Sequence, residues 1–152
     1  MNVKRAITPT ITLGDQPTEA DLERLKGEGY VGIVNLRNPG EPEQPMSPAE
    51  EGEKVRALGM EYLHYGVGSA PLTKQGVTAV SDFIDRHAQA SEKVLVHCRR
   101  GPRVAALLLL QQARASQWAA AEAIAKGKAM GLDVEGGLRT MVETYLEEHG
   151  SS

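Results

Sequence analysis

Residues 93–110 read KVLVHCRRGPRVAALLLL. The apolar run VLV has the character of a buried strand. VAALLLL opens a helix that is apolar on nearly every side, and therefore central. The junction between them, HCRRGPRV at 97–104, holds the only cysteine of the chain, Cys98, among three arginines and a glycine. The first amides of a helix lack partners within it, and together with the helix dipole they make an anion site. Successive loop amides can curl around a tetrahedral oxyanion, and Gly101 is free to take the backbone angle such a curl needs. Arg103, at the helix start, can fork onto two oxygens. The same cations and amides favour the nucleophilic thiolate. Cys98 and Arg103 are thus the catalytic candidates: the thiolate attacks a bound oxyanion, a covalent intermediate forms, and the guanidinium stabilises charge. Arg99, Arg100, Gly101 and Val104 complete the anion-binding loop, with His97 in support. The plainer alternative is a buried structural cysteine beside solvated arginines. A metal at His97 and Cys98 is disfavoured, because adjacent residues chelate poorly and no second pair accompanies them.

Strands and helices alternate outward from this loop. Residues 7–13, ITPTITL, read as an edge strand, with Pro9 arguing against a central position. Thr18 is placed to cap a helix that Gly27 or Gly29 ends. GIVNLR (32–37) is a strand, and the Pro- and Gly-dense stretch 38–45 is a loop. Ser47, Pro48 and Glu50 form a capping box with proline at the first helical position. A strand within 60–67 follows. Thr73 caps a helix that buries Val77, Val80, Phe83 and Ile84. After the helix over 103–115, Ser116 is expected to cap another that Gly131 ends, and a last helix covers 136–148. The expected class is α/β, with a mostly parallel central sheet flanked by helices, in a single domain over residues 1–152.

Composition narrows the partners. The chain has 152 residues, 41% hydrophobic and 24% charged, the profile of a soluble globular domain. Aromatics are only 4%, so the core must be aliphatic. A net charge of −3 argues against a general nucleic-acid binder, so any anion site must be local. One cysteine excludes an internal disulfide. The longest apolar run is too short to span a bilayer, and no apolar run of leader length opens the sequence. The expectation is a cytoplasmic protein with no membrane partner. Oligomeric state is left open.

Three blocks, GDQPTEADLERLKGEGY, GIVNLRNPGE and VLVHCRRGPRVAAL, resemble in order and spacing the beta-lactamase hydrolase-like, phosphatase-like domain family, within the cysteine-dependent phosphatase superfamily. The resemblance covers about residues 5–115. It implies a compact tyrosine/dual-specificity phosphatase-like fold, with the cysteine loop between the last strand and a central helix. It also implies metal-independent hydrolysis of phosphate monoesters without a cofactor, through a phosphocysteine. The partner would be a phosphorylated protein or a small phosphate ester. Phosphatases usually place five residues between cysteine and arginine, whereas four lie between Cys98 and Arg103, and Val104 stands where their arginine would. That shorter loop resembles rhodanese-type sulfurtransferases, which take sulfur from thiosulfate or a persulfide donor. Pro102 removes one amide donor. Between Met60 and Ser81 the chain has no aspartate to protonate a leaving group, an omission worth about 10²–10⁴-fold in rate. A third expectation is an anion-binding or thiol redox-sensing module.

The remaining candidates are weaker. Arg37 and Glu41 follow a strand end, where ligands of parallel sheets bind, and Glu41 could serve as an acid. A surface ion pair explains them as well. His64 is a candidate acid or a hydrogen-bonded filler. Gln16 and Pro17 read most simply as the turn that starts the first helix.

Overall fold

The computed structural model describes residues 1–150. Five strands, β1 (Lys4–Ala6), β2 (Ile11–Gly14), β3 (Tyr30–Asn35), β4 (Glu61–His64) and β5 (Lys93–His97), form one sheet in the order β1-β2-β5-β3-β4. Among the described residues β1 alone is antiparallel; β2, β5, β3 and β4 run parallel. The helices are α1 (Glu19–Gly27), α2 (Pro48–Ala57), α3 (Lys74–Gln89), α4 (Pro102–Ser116), α5 (Ala120–Ala129) and α6 (Gly136–His149). The mostly parallel α/β class expected from the alternation is the one observed.

Strand periodicity sorts the core into two layers. Ile33 and Leu95 pack with Leu22 and Leu25 of α1 and Val55 of α2. Their neighbours Val34, Val94 and Val96 face the other way, into a larger cluster with α3 and the helices after it. In that cluster α4 buries every side chain from Val104 to Gln111. A helix so enclosed can only be central, which is why its sequence shows almost no polar face.

Local signals set the helix starts. The Thr18 side chain accepts the Asp21 amide and the Asp21 carboxylate accepts the Thr18 amide. Ser47 and Glu50 make the same reciprocal pair, with Pro48 as the first helical residue. Thr73 caps α3 through the Gly76 amide.

Two expectations are corrected. The segment 7–13 is not an edge strand: Pro9 lies in the connection before β2, and Ile11–Gly14 is fully buried between β1 and β5. The edge is taken by β1, whose three residues, Lys4, Arg5 and Ala6, are all exposed and carry no apolar alternation. Ser116 does not cap α5 but is the last residue of α4. The chain reverses at Gln117, in the left-handed region at φ 57°. The Glu122 carboxylate then accepts the Ala119 amide at the start of α5.

Candidate active site

Register gathers the site. Gly14 of β2 and Asn35 of β3 both stand beside His97, the last residue of β5. The segments leaving these three parallel strands therefore emerge side by side, and they carry Gln16, Arg37 and Cys98. Two backbone bonds hold the exits together: the Leu36 amide donates to the His97 carbonyl (2.9 Å) and the Cys98 amide to the Gly14 carbonyl (3.4 Å).

Cys98 is fully buried. The Gly101 amide donates to its sulfur at 3.0 Å. Gly101 caps α4 with φ 115°, a backbone angle that favours glycine. A Cβ there would also lie 3.2 Å from Leu13 Cδ2. The Val104 side chain belongs to the core, so the anion-binding role expected of this residue narrows to its amide in the first turn of α4.

Arg103 is tied at its terminal nitrogens. Nη1 donates to Glu41 Oε2 (2.8 Å), to the Val67 carbonyl (3.0 Å) and, more weakly, to the Leu36 carbonyl (3.4 Å). Nη2 donates to Glu41 Oε1 at 2.9 Å. Nε makes none of these bonds. The Arg103 guanidinium is the main cause that holds Glu41 down from the usual 4.5 to about 2; burial opposes it, and the Asn38 amide and Arg37 add to it. Glu41 in turn pushes Arg103 up, against burial, with the Cys98 sulfur contributing. The acid role considered for Glu41 is therefore corrected, since a carboxylate held ionised this far below neutrality has no proton to give.

Arg37 is not part of a surface ion pair. It is completely buried. Its guanidinium donates to Glu41 Oε1 (3.0 Å), Gln16 Oε1 (2.9 Å), the Glu43 carbonyl (2.9 Å) and the Pro42 carbonyl. His64 donates from Nε2 to the Arg37 carbonyl at 2.6 Å. That bond matches the filler reading more closely than the acid one. Arg99 and Arg100 both reach the exposed Glu43 carboxylate. Arg99 Nε is buried and has no partner among the described residues.

Glu51 was missed. His97 Nε2 lies 2.6 Å from Glu51 Oε2, and both side chains are fully buried. Gln16 Nε2 donates to Glu51 Oε1 at 2.9 Å. Glu51 lies on the buried stripe of α2 with Pro48, Gly52 and Val55. A carboxylate at i, i+4 spacing on an apolar stripe was a usable signal. Its partner, 46 residues further along, was not predictable from spacing.

Two open cavities flank the loop. One, of about 590 Å³, is lined by Glu41, Val67, Ser69, Arg103, Leu138 and Met141, among others. The other, of about 520 Å³, includes Arg5, Leu13, Arg100, Gly101 and Leu138. Among the described residues no helix is long and apolar enough to cross a membrane.

Comparison with known proteins agrees with this fold. Over 97% of its length the chain superposes on 93% of a phosphatase-like DUF442 protein from Shewanella putrefaciens CN-32, with TM-score 0.73 and 21% identity. It also superposes, over 97% of its length, on 98% of Tk-PTP in the active form, with TM-score 0.76 and 19% identity. These likenesses establish the fold. A beta-lactamase hydrolase-like protein of Agrobacterium fabrum C58 is 32% identical over 109 residues, which cover 70% of this chain and 24% of the relative. The chain thus spans about a quarter of that protein. Residues 4–115 match the family described as "Beta-lactamase hydrolase-like protein, phosphatase-like domain". With its cysteine loop between the last strand and the central helix, the chain belongs to that phosphatase-like domain family.

Proposed function

We propose that the chain is a cysteine-dependent phosphatase acting on phosphate monoesters with good leaving groups, such as aryl phosphates. The observation that carries this reading is the cysteine loop. Cys98 Sγ sits at the head of α4 on the Gly101 amide, and Arg103 is held at the other end of the loop by Glu41. In the reaction the sulfur attacks phosphorus, the phosphorus–oxygen bond to the leaving group breaks, and the aryloxide takes a proton from water. Water then attacks the phosphocysteine, which releases inorganic phosphate and restores the thiolate. The Arg103 guanidinium, the unpartnered Arg99 Nε and the first-turn amides are the donors this reading assigns to the phosphoryl oxygens.

Leaving-group chemistry limits the substrate. Glu41 is ionised and engaged by two arginines. Glu61, the remaining carboxylate of the 60–81 segment, pairs with Arg86 and His87. Without a positioned acid, alkyl phosphates turn over about 10²–10⁴-fold more slowly than an acid would allow, whereas aryl phosphates need little help. The open mouth beside Arg103 fits a phosphorylated protein side chain or a small ester.

Sulfur transfer is the second reading, favoured by the four-residue spacing between Cys98 and Arg103. One preparation tests both. 4-Nitrophenyl phosphate hydrolysis and thiosulfate-to-cyanide sulfur transfer are measured for wild type, Cys98→Ser and Arg103→Ala. Phosphate release lost in both variants is the expected result. Thiocyanate formation without phosphate release transfers the assignment to the second reading. If neither activity depends on Cys98, both readings fail.

A further inference from the structure

A chain of hydrogen bonds leaves one end of the cysteine loop and returns to the other. His97, next to the nucleophile, bonds to Glu51. Glu51 bonds to Gln16, Gln16 to Arg37, Arg37 to Glu41, and Glu41 to Arg103. The links measure 2.6, 2.9, 2.9 and 3.0 Å, and the last is a two-point contact at 2.8 and 2.9 Å. The path crosses the β2–α1 turn, the start of α2 and the β3–α2 loop, so it joins elements that are distant in sequence.

Stability is a poor explanation for it. A buried charge pair can often be replaced by apolar residues of similar volume without loss of stability. Glu51 nevertheless occupies an apolar stripe. Among the described residues His97 Nδ1 has no partner, so the hydrogen bond between Nε2 and Glu51 is the one polar contact of the ring. Gln16 is equally committed. Its amide nitrogen serves Glu51 and the Pro17 carbonyl, while its oxygen accepts from Arg37. Glu41 is saturated: Oε1 accepts from both arginines, and Oε2 accepts from Arg103 and from the Asn38 amide at 2.6 Å. Displacing any member leaves its neighbours with buried unmet groups.

We propose that Glu51, Gln16 and Arg37 are positioning residues that hold His97 and Arg103 at a fixed span, and so set the shape of the oxyanion cradle between them. The proposal rests on the reading of the 97–104 loop as an oxyanion site. It does not require that the chemistry be phosphoryl transfer.

Two variants break the chain at different links. Glu51→Gln sets an amide donor against either His97 or Gln16. Gln16→Met keeps the side-chain length, removes both amide partners and sits at a half-buried position, so it carries the test if Glu51→Gln fails to fold. Asp85→Asn, which keeps one acceptor oxygen and sets an amide donor against Gln111 or Arg114 on α4, is the control for simple destabilisation. Two readouts need no turnover. One is the dissociation constant of inorganic phosphate by calorimetry. The other is the ratio of Cys98 alkylation rates with iodoacetate and iodoacetamide, an anionic and a neutral reagent of similar size.

Wild type is expected to prefer iodoacetate. Both chain variants should lose that preference, with phosphate binding and kcat/KM for 4-nitrophenyl phosphate falling on the order of 10- to 10²-fold. Asp85→Asn should lower Tm and leave the ratio and the phosphate affinity unchanged. Chain variants that keep the wild-type ratio and phosphate affinity overturn the proposal, whatever their Tm. Wild type that neither binds phosphate nor prefers iodoacetate overturns the oxyanion site and the proposal together. Wild type that binds phosphate, responds to the chain variants and hydrolyses nothing removes the phosphatase assignment and supports the positioning role.

Discussion

At the scale of single residues, Glu41 carries two arginines on one carboxylate, and its titration gives the fold a distinctive acid response. Its pKa is about 2 in the folded chain, against an ordinary value of 4.5. A lowered folded value means a contribution to stability that is complete above about 4.5 and is lost as pH falls toward 2. Glu41→Gln has no such group to titrate. Urea unfolding at pH 7, 5 and 3 should show the variant less stable at pH 7, with the gap to wild type narrowing at pH 3. A constant gap would mean that the ion pairs of Glu41 contribute nothing to folding. Arg103→Lys keeps the charge and loses the fork that meets two oxygens at once. We expect kcat/KM on 4-nitrophenyl phosphate to fall by about 10²-fold or more, the range seen when a transition-state donor is removed.

At the scale of elements, the turn into α4 is the most constrained feature. Gly101→Ala forces a Cβ onto a residue at φ 115° and against Leu13. A destabilisation of about 1–3 kcal/mol is expected, with weaker phosphate binding, because the Gly101 amide also holds the Cys98 sulfur. Thr73→Ala, by contrast, removes the cap of α3, an element that carries no residue of the loop or of the hydrogen-bond chain. It should lower stability by about 1 kcal/mol and leave phosphate affinity intact. Elements of this kind were legible because their signals are local. Thr18, Ser47 and Thr73 sit within three residues of the amides they cap. The loop at 97–104 was legible for the same reason, since strand, cysteine, glycine and helix are consecutive. β1 was not, because three exposed residues paired only through their backbones leave no periodic trace. Nor was the contact between His97 and Glu51, which exists only once the sheet sets α2 under the end of β5.

At the scale of the whole molecule, the family match ends at residue 115, yet the mouth of the site does not. Leu138 and Met141 of α6 line the larger cavity beside Arg103. Of the helices beyond the matched region, α6 therefore lines the approach to the loop. Leu138→Ala combined with Met141→Ala should raise KM for an aryl phosphate by roughly 10-fold, as expected for lost apolar contact, and leave the dissociation constant of inorganic phosphate unchanged. Equal effects on both would place α6 in the support of the loop, with no role in the leaving-group pocket. The hold of Glu41, Val67 and Leu36 on Arg103 has one more consequence. A free arginine side chain samples many rotamers, and freezing them costs about 1.5–2 kcal/mol. Here that entropy is surrendered when the chain folds, so an arriving anion has no disorder of Arg103 to remove. For the proposed oxyanion this corresponds to a gain of about 10- to 30-fold in affinity, drawn from the stability of the fold.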